Sequence, residues 1–86
     1  MDRLLLQSLA SDLKRITLSI QRNSPAAAAR FNQEAKRWLV ESEQQVSEPS
    51  IKKILDQIEI LLKKKDDLRK AEDCLMYSTL LQNRSL

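Results

Sequence analysis

The chain has 86 residues, enough for one modest hydrophobic core and too few for two, so we expect a single domain over residues 1–86. It contains no Gly and only two Pro, and 42% hydrophobic with 31% charged residues favours an ordered all-α fold. Fifteen basic and twelve acidic residues give a net charge of +3 that is spread over both halves of the chain, which excludes a charged tail. The absence of His removes the commonest general base and metal ligand, and the absence of Gly removes phosphate-cradling loops. We therefore expect neither an enzyme nor a bound cofactor or metal.

The first predicted helix covers residues 3–22. Its apolar residues recur at steps of three and four, which places them on one face of an amphipathic helix. They are Leu5, Leu6, Leu9, Ala10, Leu13, Ile16 and Ile20. This face is predicted to lie against the core, and Leu4 and Leu18 fall outside it.

The second predicted helix covers residues 25–46. Before it, Asn23 suits the left-handed turn that ends a helix, Ser24 can cap the next one, and Pro25 fits a first turn. Phe31 and Trp38 share one face of this helix with small alanines, which is typical of core packing. Stacking on single-stranded nucleic acid is the alternative function for these two rings.

The third predicted helix is the longest and covers residues 48–82. Ser47 is its expected cap, and Val46 and Ile51 have the spacing of a hydrophobic staple. Four of its apolar residues fall at strict seven-residue intervals, which predicts a short coiled-coil-like seam. They are Ile54, Leu61, Leu68 and Leu75.

Short loops predict an antiparallel three-helix up-down-up bundle with a long third helix. At 1.5 Å per residue the first two helices would span roughly 30 Å each and the third roughly 50 Å, so its distal part would project beyond the bundle. The alternative is four helices with a break near Lys65/Asp66, because Lys63 to Lys65 suit a helix end and Asp66 and Asp67 suit a helix start.

The distal part of the third helix carries more apolar groups than a lone helix would expose to water. We therefore predict a protein-binding module or adaptor that forms a homodimer, binds a partner protein, or does both. The predicted interface consists of Leu68, Ala71, Leu75, Met76 and Leu80. In an antiparallel homodimer, Lys65 and Arg69 of one chain would lie near Glu72 and Asp73 of the other.

The alternative function is a nucleic-acid-associated regulator that uses a lysine-rich face. The candidate phosphate contacts are Lys52, Lys53, Lys63, Lys64 and Lys65. Arg69 and Lys70 extend this basic set, but five acidic residues interrupt it, so we do not expect nucleic acid to be the partner. They are Asp56, Glu59, Asp66, Asp67 and Glu72. The interleaved carboxylates are predicted to form charge pairs on helix surfaces.

Cys74 is the only cysteine, so it has no partner within the chain for a disulfide, and we expect it to be a small buried hydrophobe. With no apparent signal peptide, this favours the reducing cytoplasm. The longest apolar runs, Leu4 to Leu6 and Ala26 to Ala29, are far shorter than the roughly 20 residues of a membrane span.

Overall fold

The computed structural model describes residues 3–84 and shows four helices in them, with no strand. They are α1 (Arg3–Gln21), α2 (Pro25–Gln45), α3 (Pro49–Leu62) and α4 (Leu68–Arg84). The all-α class is confirmed. The four-helix alternative is confirmed as well, whereas the continuous third helix over 48–82 is wrong, because α3 ends at Leu62.

The first two helix boundaries follow local backbone chemistry. Asn23 has φ 55°, the left-handed conformation that a short polar side chain tolerates after a helix. Ser24 is the N-cap residue of α2, with Pro25 next to it, but its side chain makes no capping hydrogen bond. The sequence predicts Ser47 as the cap of α3, but Glu48 takes that position, followed by Pro49.

The break in the expected third helix occupies residues 63–67. The amide N–H groups of Lys63 and Lys64 close the last turn of α3 on the carbonyl oxygens of Ile60 and Leu61, at 3.2 and 3.0 Å. Asp67 then caps α4, because its Oδ1 accepts a hydrogen bond from the backbone N–H of Lys70 at 2.8 Å. An acidic cap and two closing backbone bonds therefore replace the Gly or Pro that commonly marks such a break.

The side chain of Lys70 holds this turn together. Lys70 is only 3% exposed, and four oxygen atoms surround its Nζ. They are Asp66 Oδ1 at 2.8 Å, the Lys64 carbonyl at 2.9 Å, Asn32 Oδ1 at 3.0 Å and the Leu62 carbonyl at 3.4 Å. Because one of these is a carbonyl at the end of α3, two belong to the α3–α4 turn and one belongs to α2, the buried ammonium ties the turn to the bundle.

The helices form a closed ring in which each one packs against its two neighbours, and α1 makes its most extensive contacts with α2 and α4. Hydrogen bonds from Thr17 to Ala71 and from Ser78 to Ala10 show that α1 and α4 are antiparallel. The longest dimension is 36 Å and the other two are 20 and 19 Å. The projecting helix expected from the sequence is therefore absent from residues 3–84, because α4 folds back along α1.

The core lies inside this ring and contains the whole predicted apolar face of α1 apart from Leu5, which is buried but is not part of the core cluster. Val46 and Ile51, the predicted staple pair, are both buried in it. Among the described residues, no helix combines the length and the hydropathy needed to cross a membrane.

Candidate interaction surface

Helix α4 buries several small side chains and exposes four of its large apolar ones, although Leu81 is buried. The inner face consists of Ala71, Cys74 and Ser78, with Leu81 and the ion-paired Lys70. The exposed apolar residues of α4 are Leu68, Leu75, Met76 and Leu80, with exposures of 68%, 44%, 48% and 36%. We call these four residues the α4 outer face.

Small residues on the inner face allow α4 to approach α1 closely. Thr17 Oγ1 donates a hydrogen bond to the carbonyl of Ala71 at 2.7 Å, and Ser78 Oγ donates one to the carbonyl of Ala10 at the same distance. Both bonds join a side chain of one helix to the backbone of the other, which requires closely spaced helix axes. Larger residues at these inner positions would hold the two backbones too far apart.

Four of the five residues of the predicted interface are accessible, and the fifth is buried. Leu68, Leu75, Met76 and Leu80 are accessible, but Ala71 is 1% exposed and belongs to the core. A partner cannot reach Ala71 in this fold, because α1 covers it. The predicted seam of Ile54, Leu61, Leu68 and Leu75 is also broken, since Leu61 is buried while Leu68 and Leu75 face outward.

The apolar surface continues beyond Leu68 towards the end of the bundle. There the α1–α2 turn and the start of α4 enclose an open cavity of about 540 Å³. Ile20 and Ala28 line it from the core, and Asp66 and Asp67 line it from the α3–α4 turn. Leu68 lines this cavity too, so Ile20 of α1 and Leu68 of α4 border the same opening.

Polar residues of both signs accompany the α4 outer face. Lys65, Arg69 and Glu72 are exposed, and Asp73 is half-buried. Glu72 stands one helical turn after Leu68 and one turn before Leu75 and Met76, so it occupies the middle of the apolar strip. A partner that covers this strip must therefore supply a cation or a hydrogen-bond donor near Glu72.

The lysines of the alternative function do not form one patch. Lys52 and Lys53 lie in the first turns of α3, whereas Lys63, Lys64 and Lys65 follow its end. All five are exposed, but Nζ of Lys63 lies 3.9 Å from a carboxylate oxygen of Glu59. The acidic groups of α3 thus stand between the two basic groups.

One acidic cluster contains residues of both α2 and α3, and its α2 member was not predicted from the sequence. Glu43, Asp56 and Glu59 bring one carboxylate oxygen each within 4.8 Å of one another, and Lys52 borders the same depression. Burial raises the pKa of Glu43, and the charges of Glu59 and Asp56 raise it further. The pairing of Asp56 with Glu59 was readable from helical spacing, but Glu43 joins them only through the packing of α2 on α3.

The two large rings of α2 pack against the core with their outer edges accessible. Phe31 and Trp38 are half-buried, and guanidinium groups cover part of each ring. The Arg37 guanidinium carbon lies 5.0 Å from the Trp38 ring centre, and those of Arg15 and Arg30 lie 5.6 and 5.9 Å from that of Phe31. The packing role predicted for the rings is confirmed, and each ring also has an arginine at cation–π distance.

Cys74 is fully buried in the core between α4 and its neighbours, as the sequence predicted. Burial raises the pKa of its thiol to about 12, although the nearby Lys70 lowers it. At neutral pH the group is therefore a protonated thiol, which is a poor nucleophile.

Comparison of the chain with protein-family models, with curated proteins and with solved structures found no significant match. Its function is therefore inferred from its own residues and their contacts.

Proposed function

We propose that this protein is a helical protein-binding module that self-associates through the α4 outer face, defined above as Leu68, Leu75, Met76 and Leu80. The observation that supports this most is the distribution of side-chain size on α4, where Ala71, Cys74 and Ser78 are buried and four large apolar residues are exposed, with Leu81 as the buried exception. An amphipathic helix that needed only its own bundle would turn the large residues inward. The outward residues therefore serve a contact beyond the bundle.

A second copy of the chain fits the charges on this face. Two-fold pairing brings the same surface together from both chains, so each acidic group needs a basic group on that same surface. Helix α4 and the turn before it supply Lys65 and Arg69 on the N-terminal side of Glu72 and Asp73. In an antiparallel pairing of two α4 helices, these cations lie opposite the partner's anions, and Glu72 gains the counter-charge that an apolar strip requires.

The contact would be modest in strength. Full burial of a Leu or Met side chain contributes roughly 1.5–3 kcal/mol, and the four residues are already about half-covered within their own chain. Association also costs several kcal/mol of lost translational and rotational freedom. We therefore expect a dimer with a dissociation constant of about 1 to about 100 μM rather than an obligate one.

Sedimentation equilibrium from about 1 to about 200 μM tests the proposal. The double variant Leu68→Glu with Leu75→Glu places two charges in the contact, so we expect it to remain monomeric where the parent dimerises. Leu68 is the first residue of α4 and tolerates Glu as a helix start, and Leu75 points outward, so the circular dichroism of the variant should match the parent.

A matched control is Val40→Glu with Ile60→Glu, because each of these residues is 54% exposed and they lie on α2 and α3. The control should dimerise like the parent. A parent that is monomeric throughout this range would disprove self-association. A control that dissociates as the α4 variant does would show that added negative charge, rather than the α4 outer face, controls assembly.

A further inference from the structure

Asp12 is a buried carboxyl group on the side of α1 that faces α2. It is 1% exposed, and its Oδ1 accepts a hydrogen bond from Arg15 Nη1 at 3.2 Å. Its Oδ2 is also buried and has no conventional donor among residues 3–84. A buried carboxylate with one oxygen unpartnered is unfavourable, because that oxygen has lost its water without gaining a hydrogen bond.

The charged groups around Asp12 come from α1 and α2. Arg15 on α1 and Glu34 and Arg37 on α2 line the same open cavity of about 330 Å³, together with the ring of Trp38. Helix α4 packs on the other side of α1, where Ala10 and Thr17 make its contacts. Of the two arginines, Arg15 bonds Asp12 but is 55% exposed, so water screens much of its charge. Arg37 lies over the Trp38 ring.

We propose that Asp12 and Glu34 share one proton across the α1–α2 interface, with the Asp12 carboxylic acid donating a hydrogen bond from Oδ2 to the Glu34 carboxylate. The proton gives the unpartnered oxygen a hydrogen bond and leaves a single negative charge on the pair. When the proton leaves for solvent, two carboxylates face each other beside the core. The contact between α1 and α2 is then weaker, so the bundle contains a pH-sensitive latch.

The electrostatics of the site agree with this arrangement. Burial raises the pKa of Asp12 above its ordinary value of 3.8, the neighbouring Glu34 raises it further, and Arg15 opposes both effects. The folded protein therefore holds the proton more tightly than the unfolded chain does. The stabilisation is fully present below the unfolded value and is lost as the pH rises through the raised, folded value.

The test compares the urea midpoints of the parent and of Asp12→Asn between pH 4 and pH 8. The amide of Asp12→Asn has nearly the same shape and donates a permanent hydrogen bond to Glu34, so we expect a higher midpoint than the parent at pH 8. The gap between the two midpoints should shrink as the pH falls towards 4. Glu34→Gln should flatten the pH profile in the same way, because its amide can donate to the carboxylate of Asp12.

Glu48→Gln provides the matched control, since Glu48 is exposed at the start of α3, makes no side-chain capping hydrogen bond and lies outside the α4 outer face, and this variant should keep the pH dependence of the parent. Carboxyl ¹³C shifts measured by NMR report the ionisation of Asp12 directly and should place its pKa above 3.8. A directly measured pKa at or below that value would overturn the proposal. So would an Asp12→Asn variant that is unfolded, has a midpoint below the parent at pH 8, or shows a gap that does not change with pH.

Discussion

Two buried charged residues, Lys70 and Asp12, show how differently one small bundle treats a charge. The Lys70 ammonium has four oxygen atoms within 3.4 Å, drawn from α2, from the end of α3 and from the α3–α4 turn. The Asp12 carboxyl has one bond to a largely exposed arginine and one unpartnered oxygen. A satisfied buried charge fixes a structure, whereas a partly satisfied one responds to protons.

The largest effect is expected from Lys70→Met. The substitution keeps the length of the side chain but leaves the carbonyls of Leu62 and Lys64 and the amide oxygen of Asn32 without their donor. We expect the free energy of unfolding to fall by roughly 2–4 kcal/mol, the cost of stranding buried acceptors. Urea denaturation measures this, with Lys53→Met on the exposed surface of α3 as a control that should change stability little. Equal stability in the two variants would contradict a structural role for Lys70.

Asp66→Asn sharpens the same comparison by removing the only charged partner of Lys70 among the described residues. The side chain of Asp66 is 33% exposed, so solvent already screens part of its attraction, and the amide oxygen still accepts a hydrogen bond. We expect a loss of about 1 kcal/mol or less, smaller than for Lys70→Met. A larger loss than for Lys70→Met would mean that the ion pair, and not the capping of carbonyls, holds the turn.

The smallest effect is expected from Arg15→Ala at the other site. Arg15 lowers the pKa of Asp12 through its charge and its hydrogen bond, so its removal should raise that pKa further. Carboxyl NMR titration measures the shift. Lys14→Ala is the control, because Lys14 neighbours Arg15 in the sequence and is exposed, yet it is not among the groups that shift Asp12. A lower pKa in Arg15→Ala would show that Asp12 is dominated by a different group.

Much of the fold could be predicted from the sequence, because local residue patterns determine helix faces and helix ends. The apolar spacing of α1 correctly assigned its buried face, and Asn23 and Pro25 marked the first break, since a left-handed residue followed by Pro suits the end of one helix and the start of the next. The α3–α4 break was readable only as an alternative. No Gly or Pro marks it, and the partners of Lys70 that stabilise it lie up to 38 residues away in the sequence.

The candidate surface was only partly readable. The seven-residue spacing predicted Leu68 and Leu75 as seam residues, because such a pattern is recognised from large apolar side chains alone. The bundle instead buries Ala71, Cys74 and Ser78, which let α4 approach the backbone of α1. Leu68, Leu75, Met76 and Leu80 were predicted as interface residues of a projecting helix, but only the structure shows that they stay exposed on a helix that packs along α1.

The sequence by itself determined the helical class, the faces of α1 and α2, and the absence of His and Gly, since composition and local periodicity are properties of a chain segment. Only the tertiary structure decided where the long apolar segment would turn, which side of α4 faces inward, and that Asp12 and Lys70 would be buried. These outcomes depend on hydrogen bonds and close packing between residues far apart in the chain. Two ordinary surface-type residues, one acidic and one basic, thereby became the two buried charged residues of the described part of the molecule.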